Sequence, residues 1–153
     1  MESRSVNAVM VNPSPYGQPS DLDWLLTNFA KQVPHVRSAL VASADGLKKY
    51  VHGLDPDGAD KLAAIASGLC SLARSSSVTF GGSPVVRQVI AELDDTLLFV
   101  SSAGSGALLA VIASSEADAG VIGYEMAQLV RRVPSYLATP PRFEPAPPGS
   151  TVR

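Results

Sequence analysis

Ser43, Asp45 and His52 lie within one short stretch, "SADGLKKYVH". Together these residue types could perform nucleophilic hydrolysis: a serine attacks, a histidine takes its proton and a carboxylate orients the histidine. Closeness in sequence carries little weight, because any hairpin holds such residues, and the chain has no nucleophile-elbow pattern. Asp45-Gly46 raises a second possibility, since metal- and phosphate-binding loops also use Asp and Gly. No acidic or cysteine cluster surrounds the pair, and it stands between two strand-like runs. A two-residue type I′ hairpin needs positive φ at both central positions, and Asp-Gly supplies it with little strain. A turn is the better reading.

The remaining candidates have similarly plain explanations. "FGGSP" at residues 80–84 has the glycines of a phosphate loop but no Lys-Ser/Thr after it. It also leads into a strand, whereas an anion site needs the N-terminus of a following helix. It reads as a helix-to-strand connector, with Gly81 and Gly82 closing the preceding helix. His35 and His52 lie beside loops and share no ligand spacing with Cys70. Asp21-x-Asp23, Asp55-x-Asp57 and Asp94-Asp95 suit turns or helix starts. Cys70 falls mid-helix among small and apolar residues, as a buried inert thiol does. No catalytic residue, metal ligand or cofactor fingerprint emerges, which argues against an enzyme.

Composition narrows the class further. The chain has 153 residues, 46% of them hydrophobic, with a formal net charge of −2, enough to bury one domain's core. There is no basic excess of the kind nucleic-acid binding requires. A lone cysteine cannot form an internal disulfide and suits a reducing compartment. No signal-peptide core or membrane-length apolar run is present. The expectation is a soluble cytoplasmic protein without nucleic-acid binding or direct membrane insertion.

Three segments follow from the pattern. Residues 1–19 are polar and proline-punctuated and read as disordered; residues 139–153, "TPPRFEPAPPGSTVR", form a proline-rich disordered tail. Between them, residues 20–138 make a compact domain. "SDLDWLLTNFAKQV" sets Leu22, Leu25, Leu26, Phe29 and Val33 on one helical face, with Ser20 as N-cap and Pro34 as terminator. "VRSALVAS" and "LKKYVH" flank the Asp-Gly turn, and the two lysines of the second run suit a sheet edge. Asp55 and Pro56 open a long helix. "VVRQVIAEL", "TLLFVSS" and "ALLAVIAS" follow as strands joined by short hairpins. A closing helix over residues 115–137 aligns Val121, Ile122, Met126, Leu129, Val130 and Val133, with Pro134 as a kink or stop. The order is α-β-β-α-β-β-β-α. Strands apolar on both faces predict a mainly antiparallel five-stranded sheet covered on both sides.

The second helix offers two faces. Leu62, Ile65, Leu69 and Leu72 form the stripe expected against the sheet. Beside it runs a line of small residues, Ala64, Ser67, Gly68, Ser71 and Ser75, where another backbone could approach closely. Exposed helix faces usually favour Lys, Glu and Gln, so this line reads as a packing face. The long run "VVRQVIAEL" places Val85, Arg87, Val89, Ala91 and Leu93 on one strand face and Val86, Gln88, Ile90 and Glu92 on the other. At a sheet edge, pairing with its twin in a second subunit would satisfy both edges. The expected dimer interface is therefore Ala64, Ser67, Gly68, Ser71 and Ser75 with Val86, Gln88 and Ile90.

The hairpin "VPHVRSALVASADGLKKYV", the small-residue helix and the "FGG…V" transition resemble the roadblock (dynein light-chain type) domain. The similarity runs over residues 21–137 and is nearest to an actinobacterial subgroup encoded beside a small Ras-like GTPase and a sensor-kinase-like protein. The resemblance implies a profilin-like sandwich, homodimeric through the second helix and third strand, that regulates or scaffolds a small GTPase without a catalytic motif or cofactor. Arg37, Arg74 and Arg87 are the candidates for partner contact. The alternative from another class is a small-molecule sensor with a pocket between sheet and helices. It calls for polar groups converging inside a cavity, and the inward stripes here are apolar.

Overall fold

The computed structural model describes residues 19–104 and 106–137. The segments expected to be disordered, 1–19 and 139–153, lie outside these residues except for Pro19, which opens the first helix. The elements are α1 (Pro19–Gln32), β1 (Val36–Ser43), β2 (Lys48–His52), α2 (Pro56–Thr79), β3 (Gln88–Glu92), β4 (Thr96–Ser102), β5 (Ala107–Ser114) and α3 (Ala119–Leu137). This is the order anticipated. The five strands form one antiparallel sheet in the order β2-β1-β5-β4-β3, the profilin-like sandwich.

Helices cover both faces of the sheet. On one face, Leu22, Leu26 and Phe29 of α1 and Ile122, Met126 and Val133 of α3 pack over Ala39, Val41, Phe99, Leu109 and Val111. On the other, α2 packs over Leu40, Ala42, Val100, Leu108 and Ala110. The inner strands alternate between these two cores, which explains why β1 and β5 are apolar at almost every position. β2 is an edge strand, and its lysines stand where they discourage further pairing.

Helix ends follow local chemistry. Asp55 caps α2 through its side chain, which accepts from the Gly58 N–H at 2.9 Å, with Pro56 at the first helical position. At the other end, Gly82 N–H donates to Ser77 O at 2.7 Å and Gly81 N–H to Val78 O at 3.1 Å. These are the paired bonds of a Schellman ending, made possible by Gly81 at φ +81°. "FGGSP" is thus a helix stop and connector.

Several local expectations are corrected. α1 begins at Pro19, one residue ahead of the expected cap Ser20. α3 starts at Ala119 rather than Ser115, because Asp118 Oδ1 accepts from the N–H groups of Gly120 and Val121. It continues through Pro134 to Leu137, and Val121 is exposed. The Asp45-Gly46 turn is not a two-residue type I′ turn. Ser43 N–H donates to Leu47 O at 2.9 Å and Gly46 N–H to Ser43 O at 3.0 Å, closing a longer loop over residues 44–47. Only Gly46 has positive φ (+92°) there; Asp45 does not. Finally, β3 spans only five residues, so residues 85–87 lead into it without pairing.

Candidate functional site

The potential hydrolytic set does not assemble. Ser43 Oγ donates to Leu47 O at 3.3 Å and accepts from the Leu47 N–H at 3.1 Å, which commits it to the loop. Strand register sets His52 opposite Ala39, at the far end of the hairpin from Ser43. There its Nδ1 lies 3.3 Å from Thr27 Oγ1 of α1. The Ser43 hydroxyl, then the Asp45 backbone, hold the exposed Asp45 carboxyl below the usual carboxylate range, with Lys49 assisting. Burial pushes the Cys70 thiol up, which disfavours the thiolate. Among the described residues, no three His, Cys, Asp or Glu side chains gather as metal ligands.

The surface of α2 and the β3 edge carries the more informative geometry. α2 buries Ala59, Leu62, Ala63, Ala66 and Cys70 against the sheet. Ile65 and Leu72, expected in that stripe, are 51% and 69% exposed instead, and Leu69 is half-buried. The helix is rotated because small side chains let it settle close to Leu40 and Leu108. The large residues are left facing outward. Val78, Phe80, Val85, Ile90 and Leu93 are exposed as well, on the end of α2, its connector, β3 and the residue that follows it. Sequence reasoning missed this apolar surface. The available signal was a second buried-type line of small residues, Ala59, Ala63 and Ala66, beside Leu62.

The predicted interface residues fall as follows. Ala64, Ser71 and Ser75 are exposed on α2. Gly68 is open, with no atom within 4 Å of where a Cβ would stand. Ser67 is half-buried, and its Oγ donates to Ala44 O at 2.6 Å. Gln88 and Ile90 are exposed on β3, with Gln88 Nε2 3.3 Å from Ser101 Oγ. Val86 does not share their face: it precedes the strand and packs on the α2 side. β3 pairs only with β4, so its outer edge is unpaired among the described residues.

Charge is sparse around this surface. Lys61 pairs with Asp57 at 2.9 Å and Lys48 with Asp60 at 3.1 Å, both near the start of α2. The three candidate arginines sit on separate elements. Arg37 is exposed on β1, where the register with β5 slips between Val36 and Ser38. Arg74 Nε donates to Pro84 O at 3.3 Å and braces the connector. Arg87 is exposed just ahead of β3.

Comparison with known proteins places residues 22–113 in a match to the Roadblock/LC7 domain. A Roadblock/LC7 domain from Streptomyces avermitilis is 60% identical; the alignment covers 76% of this chain and 98% of that one, with a TM-score of 0.72. Another from the same organism is 38% identical over 72% of this chain and 96% of that one, TM-score 0.60. The gliding protein MglB from Thermus thermophilus, 20% identical over 82% and 95% of the two chains, shares the fold at a TM-score of 0.67. No curated protein matches the chain.

Proposed function

The chain belongs to the Roadblock/LC7 domain family, and from that premise we propose that it is a non-enzymatic, homodimeric regulator or scaffold that binds a small Ras-like GTPase in a cytoplasmic signalling complex. A sensor-kinase-like protein would be a further member of that complex. The observation that carries the reading is the exposed apolar surface along α2 and β3. Ile65, Leu72, Val78 and Phe80 on α2 and its connector are all more than half exposed, on a helix whose Gly68 has open space above it. Ile90 is half exposed on β3, whose outer edge is unpaired among the described residues. Such a surface is costly on a monomer and points to association.

In the proposed dimer, Gly68, Ala64, Ser71 and Ser75 let the α2 helices approach, while Ile65 and Leu72 supply buried apolar area. Ser67 joins them at the margin, beside its own hairpin loop. Gln88 and Ile90 pair along β3, with Val86 behind them. Two subunits would together offer a GTPase more surface than either alone, and stable recognition usually buries about 1,200 Å² or more. Arg37, Arg74 and Arg87 are the proposed partner contacts. The sensor alternative has less support, since the two cores are built from apolar side chains.

Calorimetric titration with a small Ras-like GTPase from the same organism, in both nucleotide states, tests the proposal. Binding in at least one state, by a dimer, is the expected result. No binding in either state with the dimer intact overturns the GTPase assignment, and a monomer at all concentrations overturns the dimer.

A further inference from the structure

The face of the sheet opposite α2 holds a feature that meets the proposed dimer contacts only at Val86 and Gln88. A groove of about 450 Å³ runs between α3 and the stretch leading into β3. It exists because residues 85–87 do not continue the ladder: pairing with β4 begins at Gln88 opposite Ser101. Apart from Arg131, α3 presents only small or medium side chains here. Gly123 faces the Gln88 amide, with room for ordinary contact only, and Ala127 and Val130 line the helical wall. Val85 lines the opposite wall together with Val86, which also packs against the α2-side core. Each wall also carries one arginine, Arg131 on α3 and Arg87 ahead of β3. Both are exposed, and neither has an ion pair or hydrogen bond among the described residues.

We propose that this groove is a docking site for a peptide segment of a partner protein in which large apolar side chains alternate with carboxylates. The apolar walls would take the hydrophobic side chains, and the two arginines on opposite walls would take a carboxylate each, often in bidentate fashion. Two cations without an ion pair line this one groove, and they make complementarity to an acidic partner the governing feature. The groove is open to solvent rather than enclosed, which suits a chain segment more than a small ligand, most of whose surface is normally buried. The site does not rest on the GTPase reading, although it shares Arg87 with the proposed partner contacts and Val86 and Gln88 with the proposed dimer contacts. Because it lies on the α3 face, the exposed face of α2 stays open when the groove is filled.

A random 12-residue peptide library, selected against the immobilised full-length protein, tests this directly. Ala127→Trp fills the groove and Arg131→Glu reverses one charge. Both positions are exposed, and neither belongs to the proposed dimer or GTPase contacts. The expected outcome is enrichment of peptides with Asp or Glu beside Leu, Ile or Phe, losing at least tenfold in affinity to each variant, with unchanged melting temperature and oligomeric state. Binding of the selected peptides should weaken as salt rises. Peptides without acidic bias, binding unaffected by both variants, or no enrichment at all would each overturn the proposal. Displacement of the peptides by octanoate at comparable concentration would reassign the groove to a small anionic amphiphile, which also overturns it. Dimerisation and GTPase binding by Ala127→Trp report separately on the function proposed above.

Discussion

Ser67 Oγ on α2 donates a 2.6 Å hydrogen bond to the backbone carbonyl of Ala44 in the β1–β2 loop. The next residue, Gly68, touches nothing at all where its side chain would be. Two adjacent members of the same small-residue line therefore have different surroundings: one holds its own chain together, and the other is open for a second chain. Ser67→Ala should lower stability by about 1 kcal/mol, the usual net worth of such a bond. Chemical denaturation at a concentration where the protein is fully dimeric, and again well below it, separates this loss from any effect on association.

Gly68→Leu should do the reverse. Leucine is favoured over glycine in a helix by nearly 1 kcal/mol, so the isolated fold should hold or gain. In the dimer, a bulky side chain between two helices should cost about 1–3 kcal/mol, weakening association by about 5- to 150-fold. Leu72→Glu, at a site 69% exposed in the single chain, should also leave the fold intact and dissociate the dimer. Sedimentation velocity over a concentration series decides both. Unchanged dimer affinity in the two variants would return this face to solvent.

The loop itself makes a separate prediction. Gly46 adopts φ +92° and approaches Ser67 and Ala64, so Gly46→Val should destabilise the domain by about 1–3 kcal/mol through backbone strain. Asp45→Asn should scarcely change stability at neutral pH. Thermal melts of the two variants beside the native protein check both statements.

Asp45 also has a pH signature. Its carboxyl is held below the ordinary range, first by the Ser43 hydroxyl. A depressed folded pKa means that any stabilisation is present above the unfolded value and is lost as pH falls through the folded one. The small stability difference between the native protein and Asp45→Asn should therefore shrink to nothing on acidification. Parallel thermal melts between about pH 7 and about pH 2 measure it, and a difference that grows toward acid contradicts a lowered Asp45 pKa.

Cys70 is 4% exposed with its thiol pKa raised by burial, so a thiol reagent should react slowly with the folded protein and fast in denaturant. The kinetics follow the opening of α2 from the sheet. Rapid labelling in native buffer would show that the helix is loosely held.

What the sequence alone determined is the part governed by local chemistry. The element order, the Asp55–Pro56 start of α2, the glycine stop at residues 81–82 and the lysine-bearing edge strand were legible because each depends on residues within a few positions. The apolar runs of β1 and β5 announced a sheet buried on both faces for the same reason. The Asp45-Gly46 pair announced a turn but not its type, which depends on where Ala44 is tethered, twenty-three residues away at Ser67.

The rotation of α2 was decided by tertiary packing. Its sequence offers two apolar stripes, and hydrophobicity favours the one with Ile65 and Leu72. The sheet, with Leu40, Val100 and Leu108 rising toward the helix, favours the one with Ala59, Ala63 and Ala66. Close packing selects on shape and volume as well as hydrophobicity, so the larger side chains were turned outward and an apolar surface was left. The groove beside β3 has a similar origin. Residues 85–87 read as strand, but Val86 finds its burial on the α2 side, and the ladder begins only at Gln88. Periodicity along one segment contains no information about either choice, because each is a competition between surfaces that meet only when the chain has folded.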